Sequence, residues 1–227
     1  MKSILIFLLL IPVALNSSDI LLNETFDNLD NWKELNFPKI ENHSIYETDA
    51  GILNTSSDNS ASGIILKRTF DVYEHPIVAW KWMIEKVYDK GDATLKKGDD
   101  YPIRVYIIFQ YNPENAKFGK RIKYKAAKAI YGEYPPDSSL NYIWANREQA
   151  EIVTSPYTKQ SKMWVLRDNS DSVGEWFSEA VNIIADYQKA FGKMPPQTAS
   201  IAIMNDSDNT HENAKSYLDY IIIKAEE

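Results

Sequence analysis

Between Ile201 and Thr210 the chain reads I-A-I-M-N-D-S-D-N-T, an apolar strand that runs directly into carboxylates and amides. A strand ending this way delivers Asp206, Asp208 and Asn209 to the rim of a rigid scaffold. Three kinds of chemistry are open to them. Clustered oxygens within one turn, Thr210 included, suit a hard cation such as calcium. Two carboxylates can hold a polar ligand or divide acid and base roles, and an Asx-rich segment can also be a solvated hairpin turn. The EF-hand pattern does not apply: counted from Asp206, it needs Gly and Glu where this chain has His211 and Tyr217.

A second acidic group stands in G-D-D-Y-P-I-R-V-Y-I-I-F at 98–109, where Asp99 and Asp100 precede an alternating run. Ile103, Val105, Ile107 and Phe109 share one face of this strand, and Arg104, Tyr106 and Ile108 share the other. Arg104 can therefore pair bidentately with a carboxylate or an anionic sugar beside an aromatic ring, or act as an ordinary salt-bridge partner. Tyr142 and Trp144, in N-Y-I-W-A-N, offer ring faces on which a pyranose can stack, or else belong to the core. Trp80 and Trp82, between Val78 and Ile84 at strand parity, read as core packing.

Familiar catalytic constellations are missing. The histidines are His43, His75 and His211, and there is no cysteine, G-x-S-x-G elbow, H-E-x-x-H or Gly-rich phosphate loop. Triad hydrolases, zinc proteases and nucleotide enzymes lose most of their weight accordingly, and no organic cofactor is expected. Paired-carboxylate glycoside chemistry stays open, because it needs only two carboxylates about 5 to 10 Å apart. The net charge of −7 argues against nucleic acid or an anionic membrane surface as partner.

The elements that must position these residues are mostly strands. Short runs rich in Val, Ile, Tyr, Trp and Phe, separated by Gly, Asn, Asp, Ser and Pro, predict strands over 20–26, 45–48, 52–54, 63–70, 77–84, 103–111, 140–145, 162–167, 175–184, 200–204 and 217–225. Such spacing predicts an all-β sandwich or barrel. Helical insertions are predicted at 121–131, before Pro135-Pro136, and at 185–191, before Gly192. Lys2 followed by the apolar run Ile4–Leu15 predicts a secretory signal over residues 1–18, too short for the roughly 20 residues of a membrane span. The expected product is an exported single domain over 19–227, periplasmic or extracellular, with no stable membrane insertion once the signal is removed. Without cysteine it must stand on its hydrophobic core.

Four ordered blocks carry a resemblance: G-D-D-Y-P-I-R-V-Y-I-I-F, Y-G-E-Y-P-P-D-S-S-L-N-Y-I-W-A-N, G-E-W followed by D-Y-Q-K-A-F-G-K-M-P-P, and I-A-I-M-N-D-S-D-N-T before Y-L-D-Y-I. Together they resemble the bacterial exported DUF3047 family over about Leu22 to Lys224. The resemblance implies a secreted jelly-roll (concanavalin-like) β-sandwich and supplies no catalytic assignment. The opening L-L-N-E-T-F-D-N-L-D-N-W and closing S-Y-L-D-Y-I-I-I look like the first and last strands of secreted jelly-roll domains that share a structural calcium. That likeness implies Glu24 and Asp219 as metal ligands, beside the candidates Asp206, Asp208 and Asn209. The leading expectation is non-catalytic binding of a carbohydrate or glycan-like polymer by Asp99, Asp100, Arg104, Tyr142, Trp144, Asp206, Asp208 and Asn209. The alternatives are a carboxylate-dependent glycoside hydrolase or polysaccharide lyase, and an envelope domain that meets another protein.

Overall fold

The structure, a computed structural model, describes residues 20–132 and 134–226. The expected signal over 1–18 lies outside the described residues. One sheet has the strand order β12 (Phe177–Asn182), β7 (Ile77–Ile84), β14 (Asn213–Lys224), β4 (Ile52–Asp58) and β3 (Ile45–Asp49), with β1 (Ile20–Glu24) also paired to β14. The other runs β10 (Ile152–Thr154), β11 (Ser161–Arg167), β9 (Ser138–Trp144), β8 (Arg104–Phe109), β13 (Thr198–Asp206), β5 (Ala61–Leu66) and β2 (Trp32–Leu35), with β6 (Phe70–Asp71) on β13. The first sheet is antiparallel throughout, whereas β9 and β11 in the second run parallel. Two stacked sheets with helices only as insertions make a jelly-roll, concanavalin-like β-sandwich.

Side-chain alternation fixes which face of each strand turns inward. On β7, Val78, Trp80, Trp82 and Ile84 are fully buried while the residues between them are half-buried. From the opposite sheet Val105, Ile107 and Phe109 of β8, Ile201 and Ile203 of β13, and Leu140, Tyr142 and Trp144 of β9 meet them. Trp80 packs on Tyr142 with ring centroids 5.4 Å apart, and Trp82 on Trp144 at 5.9 Å. These pairs join the two layers, and truncating any one ring would cost about 3–5 kcal/mol. On β14 a register shift between Leu218 and Tyr220 adds one residue, so that Leu218 and Ile221 both point inward and Asp219 is left at the bulge.

Two helices interrupt the strands. The first, α1 (Phe118–Tyr131), lies between β8 and β9 and ends at Gly132, whose φ of 83° supplies the left-handed cap. The second, α2 (Ile183–Phe191), starts where the Asn182 side chain accepts from the N–H groups of Ile184 and Ala185. Tyr187 of α2 packs edge-on against Phe109 at 4.6 Å, closing one end of the core.

Candidate functional site

The outward face of the eight-stranded sheet carries a cleft of about 570 Å³. Because β8 and β13 pair with Arg104 opposite Met204 and Tyr106 opposite Ala202, the residues alternating with the core triplets form its floor. Arg104, Tyr106, Met163 and Met204 line it there; Phe37, Pro38 and Ile40 after β2, and Tyr157 and Thr158 between β10 and β11, form its walls. One end is acidic, where Asp99, Asp206, Asp208 and Asn209 reach the cleft.

Two loops converge at that end. The first follows a 3-10 turn at Lys96–Gly98. Gly98 lets this loop fold back on itself, since a Cβ there would meet the Asp92 backbone nitrogen at 2.7 Å. Asp100, fully buried, fastens the second loop: its carboxylate accepts from the Asn209 N–H (2.9 Å), Asn209 Nδ2 (2.8 Å), the Thr210 N–H (2.6 Å) and Thr210 Oγ1 (2.8 Å). Four donors on one carboxylate make it a clamp for the 206–210 segment.

Arg104, 4 % exposed, lies between the rings of Tyr101 (4.9 Å to the centroid) and Tyr106 (5.3 Å). Its guanidinium donates to Asp206 and has Asp99 at 3.8 Å. Asp206 also accepts from the Tyr101 N–H at 3.2 Å, and Asp99 accepts from the Tyr101 hydroxyl at 3.0 Å. Burial raises the Asp99 carboxyl to about 6, against the pull of Arg104. Burial likewise raises Asp206 well above the usual carboxylate range, opposed by Arg104 and reinforced by Asp100. Asp208, half-buried, is raised by desolvation and by the neighbouring Asp100. The guanidinium stays charged, since the desolvation that opposes its charge is outweighed by Asp206 and its other neighbours. Several carboxyls are therefore collected around one buried cation.

Asp99, Asp100, Arg104, Asp206, Asp208 and Asn209 are thus brought together as the sequence reading expected. Tyr142 and Trp144 are not, and their assignment to the ligand site is corrected: both are fully buried on the inward face. Their polar atoms are used there, Tyr142 donating to Asp186 at 2.7 Å and Trp144 Nε1 to the Asp168 carbonyl at 3.1 Å. Leu140, at the same parity, is buried on the same face. Tyr157 and the 37–40 loop were missed. The Tyr157 hydroxyl lies within donating distance of Asn209 Oδ1 (3.0 Å) and the Lys96 carbonyl (3.1 Å), while its ring remains exposed.

The expected calcium ligands divide. Asp100, Asp206 and Asp208 each bring an oxygen to within 4.8 Å of the others. Their oxygens are largely engaged by Arg104, Tyr101, Asn209 and Thr210, and the Asn209 Oδ1 faces the Tyr157 hydroxyl. Calcium takes about six to eight oxygens and no adjacent guanidinium, so the donor set does not fit a resident ion. Glu24 and Asp219 stand outside that group, each with partners of its own. Glu24 accepts from the Phe26 N–H, Asn31 Nδ2 and Trp32 Nε1, tying β1 to the turn that follows it, and Asp219 pairs with Lys81 at 2.7 Å.

The chain matches, over residues 30–222, the family described as "Protein of unknown function (DUF3047)", and it belongs to that family. No curated protein matches it. Among solved structures it is similar to the K3 adhesin domain of Lys-gingipain from Porphyromonas gingivalis, at 10 % identity and TM-score 0.41, covering 91 % of this chain and 99 % of that one. It is similar also to the lectin from Bauhinia forficata in complex with GalNAc (9 % identity, TM-score 0.45, 90 % and 98 % covered). A third is a thermostable cellulase derived from the Cel12A cellulase of Rhodothermus marinus (10 %, TM-score 0.47, 86 % and 92 %). At such distances none of them assigns a ligand or a site to this chain.

Proposed function

We propose that the cleft on the eight-stranded sheet binds a carbohydrate or glycan-like polymer without turning it over, in a protein exported by the segment from Lys2 to Leu15. The observation that carries this reading is the pairing of exposed and floor aromatics with a fixed polar end. Tyr157 and Tyr106 offer faces for the C–H surface of a sugar ring, and the half-buried Asp208 carboxylate offers acceptors for its hydroxyls. Binding is favoured over catalysis because Asp100 and Asp206 are already satisfied within the protein and Asp100 is buried behind the cleft.

The test is the melting temperature across a panel of cell-wall and exopolysaccharide fragments. A true ligand at a hundred times its dissociation constant adds about 2.7 kcal/mol. Tyr157→Ala should leave the unliganded melting temperature in place and weaken binding by about 1 kcal/mol. A panel that shifts nothing overturns the reading and turns attention to a protein partner in the envelope. A second reading, hydrolysis or lyase cleavage of the same polymer, draws on Asp99, which lines the cleft and is pushed up to about 6, within the working range of a general acid. It requires new sugar ends that disappear in Asp99→Asn while binding persists.

A further inference from the structure

From Asn115 to Gly132 the chain carries Lys117, Lys120, Arg121, Lys123, Lys125 and Lys128 and no acidic residue, although the whole molecule is net negative. Most of this segment is α1, and its faces are unequal. Tyr124, 4 % exposed, turns inward: its hydroxyl donates to the Pro136 carbonyl at 3.0 Å, and its ring packs on Tyr111 at 4.1 Å. Lys120, on the same side, is held by Asp137. The opposite side is apolar and exposed. Phe118 is 77 % and Ile122 56 % exposed, and Ala126 and Ala129 continue the stripe at helical spacing, also exposed. Arg121, Lys125 and Lys128 border the stripe on one flank and Lys123 on the other. Arg121, Lys123 and Lys125 have no carboxylate partner among the described residues.

We propose that this face of α1 is a docking surface for an anionic lipid bilayer, with Phe118 and Ile122 entering the headgroup layer and the flanking cations meeting lipid phosphates. Charge complementarity and the order of the side chains single out this partner. An interfacial helix presents a projecting apolar ridge with Lys and Arg beside it. A nucleic-acid surface would place the cations outermost instead, because phosphate contacts supply that affinity. The helix does not span: among the described residues no helix is long and apolar enough to cross a membrane. α1 is an insertion between β8 and β9, joined to the sandwich through Tyr124 and Lys120, so the outward stripe can be altered without touching the core. The acidic surface elsewhere would keep the rest of the molecule off the bilayer and so orient it.

Co-sedimentation with vesicles tests this. The leader's own apolar run would bind lipid, so the chain from Asp19 onward is used, which keeps all strands and both helices. It should sediment with vesicles containing phosphatidylglycerol and not with pure phosphatidylcholine, and added salt should release it. Phe118→Ser with Ile122→Ser, and separately Lys123→Gln with Lys125→Gln, should each weaken binding more than about tenfold at an unchanged melting temperature. Absence of binding to the anionic vesicles overturns the proposal. So does binding that survives loss of the apolar pair, or equal affinity for a soluble polyanion such as single-stranded DNA. A dimer in sedimentation that dissociates on Phe118→Ser with Ile122→Ser would assign the stripe to a second copy and also overturn it.

Discussion

The two ends of the β8–β13 pair carry opposite charge and handle it in opposite ways. At the Arg104–Met204 end, Asp99, Asp100, Asp206 and Asp208 gather around one guanidinium, and the contacting side chains of Arg104 and Asp206 are 5 % and 2 % exposed. At the Phe109–Ala199 end, Lys120 and Lys193 pair with Asp137 on a groove of about 770 Å³ that Lys117 also lines, and the Lys193 side chain is 58 % exposed. Water screens the second cluster and hardly reaches the first. Similar counts of charge therefore have unequal consequences: the acidic end fixes loop geometry, and the basic end leaves its cations in contact with solvent.

The largest effect expected from this contrast follows Arg104→Leu. It leaves Asp206 and Asp99 buried without their cation, a loss of about 3–5 kcal/mol at neutral pH by denaturant unfolding. The loss should shrink in mild acid, where those carboxyls take up protons. A neutral-pH loss below 1 kcal/mol, of the size seen for exposed pairs, would end the distinction between the two ends. Asp100→Asn comes next. The amide keeps the volume but cannot accept all four donors from Asn209 and Thr210, so a loss of about 2–3 kcal/mol is expected. Protease sensitivity should appear within 206–210; cleavage elsewhere would mean that Asp100 is not the clamp.

Wild-type stability should also depend on pH in an unusual direction. Asp99 ordinarily titrates at 3.8 and is pushed to about 6 in the fold. Between those values the folded state holds a proton that the unfolded state has released, so stability rises as pH falls through about 6 toward 3.8 and declines on the way back. The rise in Asp206 has the same sign. Asp92, lowered first by the Thr94 hydroxyl, acts oppositely, but only below 3.8. Stability is therefore expected to peak in mild acid, by on the order of 1–2 kcal/mol over its value at pH 7, and to be read as a maximum in the melting temperature. Asp99→Asn should flatten that slope, and an unchanged slope would place the titrating group elsewhere.

The acidic end was largely legible in the sequence because its residues lie next to strand termini, where alternation tells which positions leave the core. β7 was read at its observed limits for the same reason, with Val78, Trp80, Trp82 and Ile84 repeating every second residue. Alternation does not say which parity faces inward when both are mixed, and that is why Tyr142 and Trp144 were placed outside. β2 (W-K-E-L) and β10 (I-V-T) are short edge strands without an alternating run to mark them, and Asn213–Ser216 of β14 is polar enough to read as loop until β4 pairs with it. The clamp by Asp100 was out of reach, since its partners are more than a hundred positions away. The helix at α1 was legible over 121–131, but which of its sides faces outward is set only by which side chain the sandwich takes, namely Tyr124.

The smallest effect belongs to the basic end. Asp137 holds Lys120 and lies 3.9 Å from Lys193, while its backbone accepts from Gln160 at 2.8 Å. Asp137→Asn removes the charge and keeps the backbone contact. The side chains it pairs with reach water and can solvate freely, so the loss should stay under about 1 kcal/mol and vanish in high salt. Lys120 lies on the side of α1 that faces the sandwich, so the same change should leave affinity for phosphatidylglycerol vesicles in place. A destabilisation as large as that of Asp100→Asn would instead show that Asp137 is a structural clamp and that the two ends are built alike.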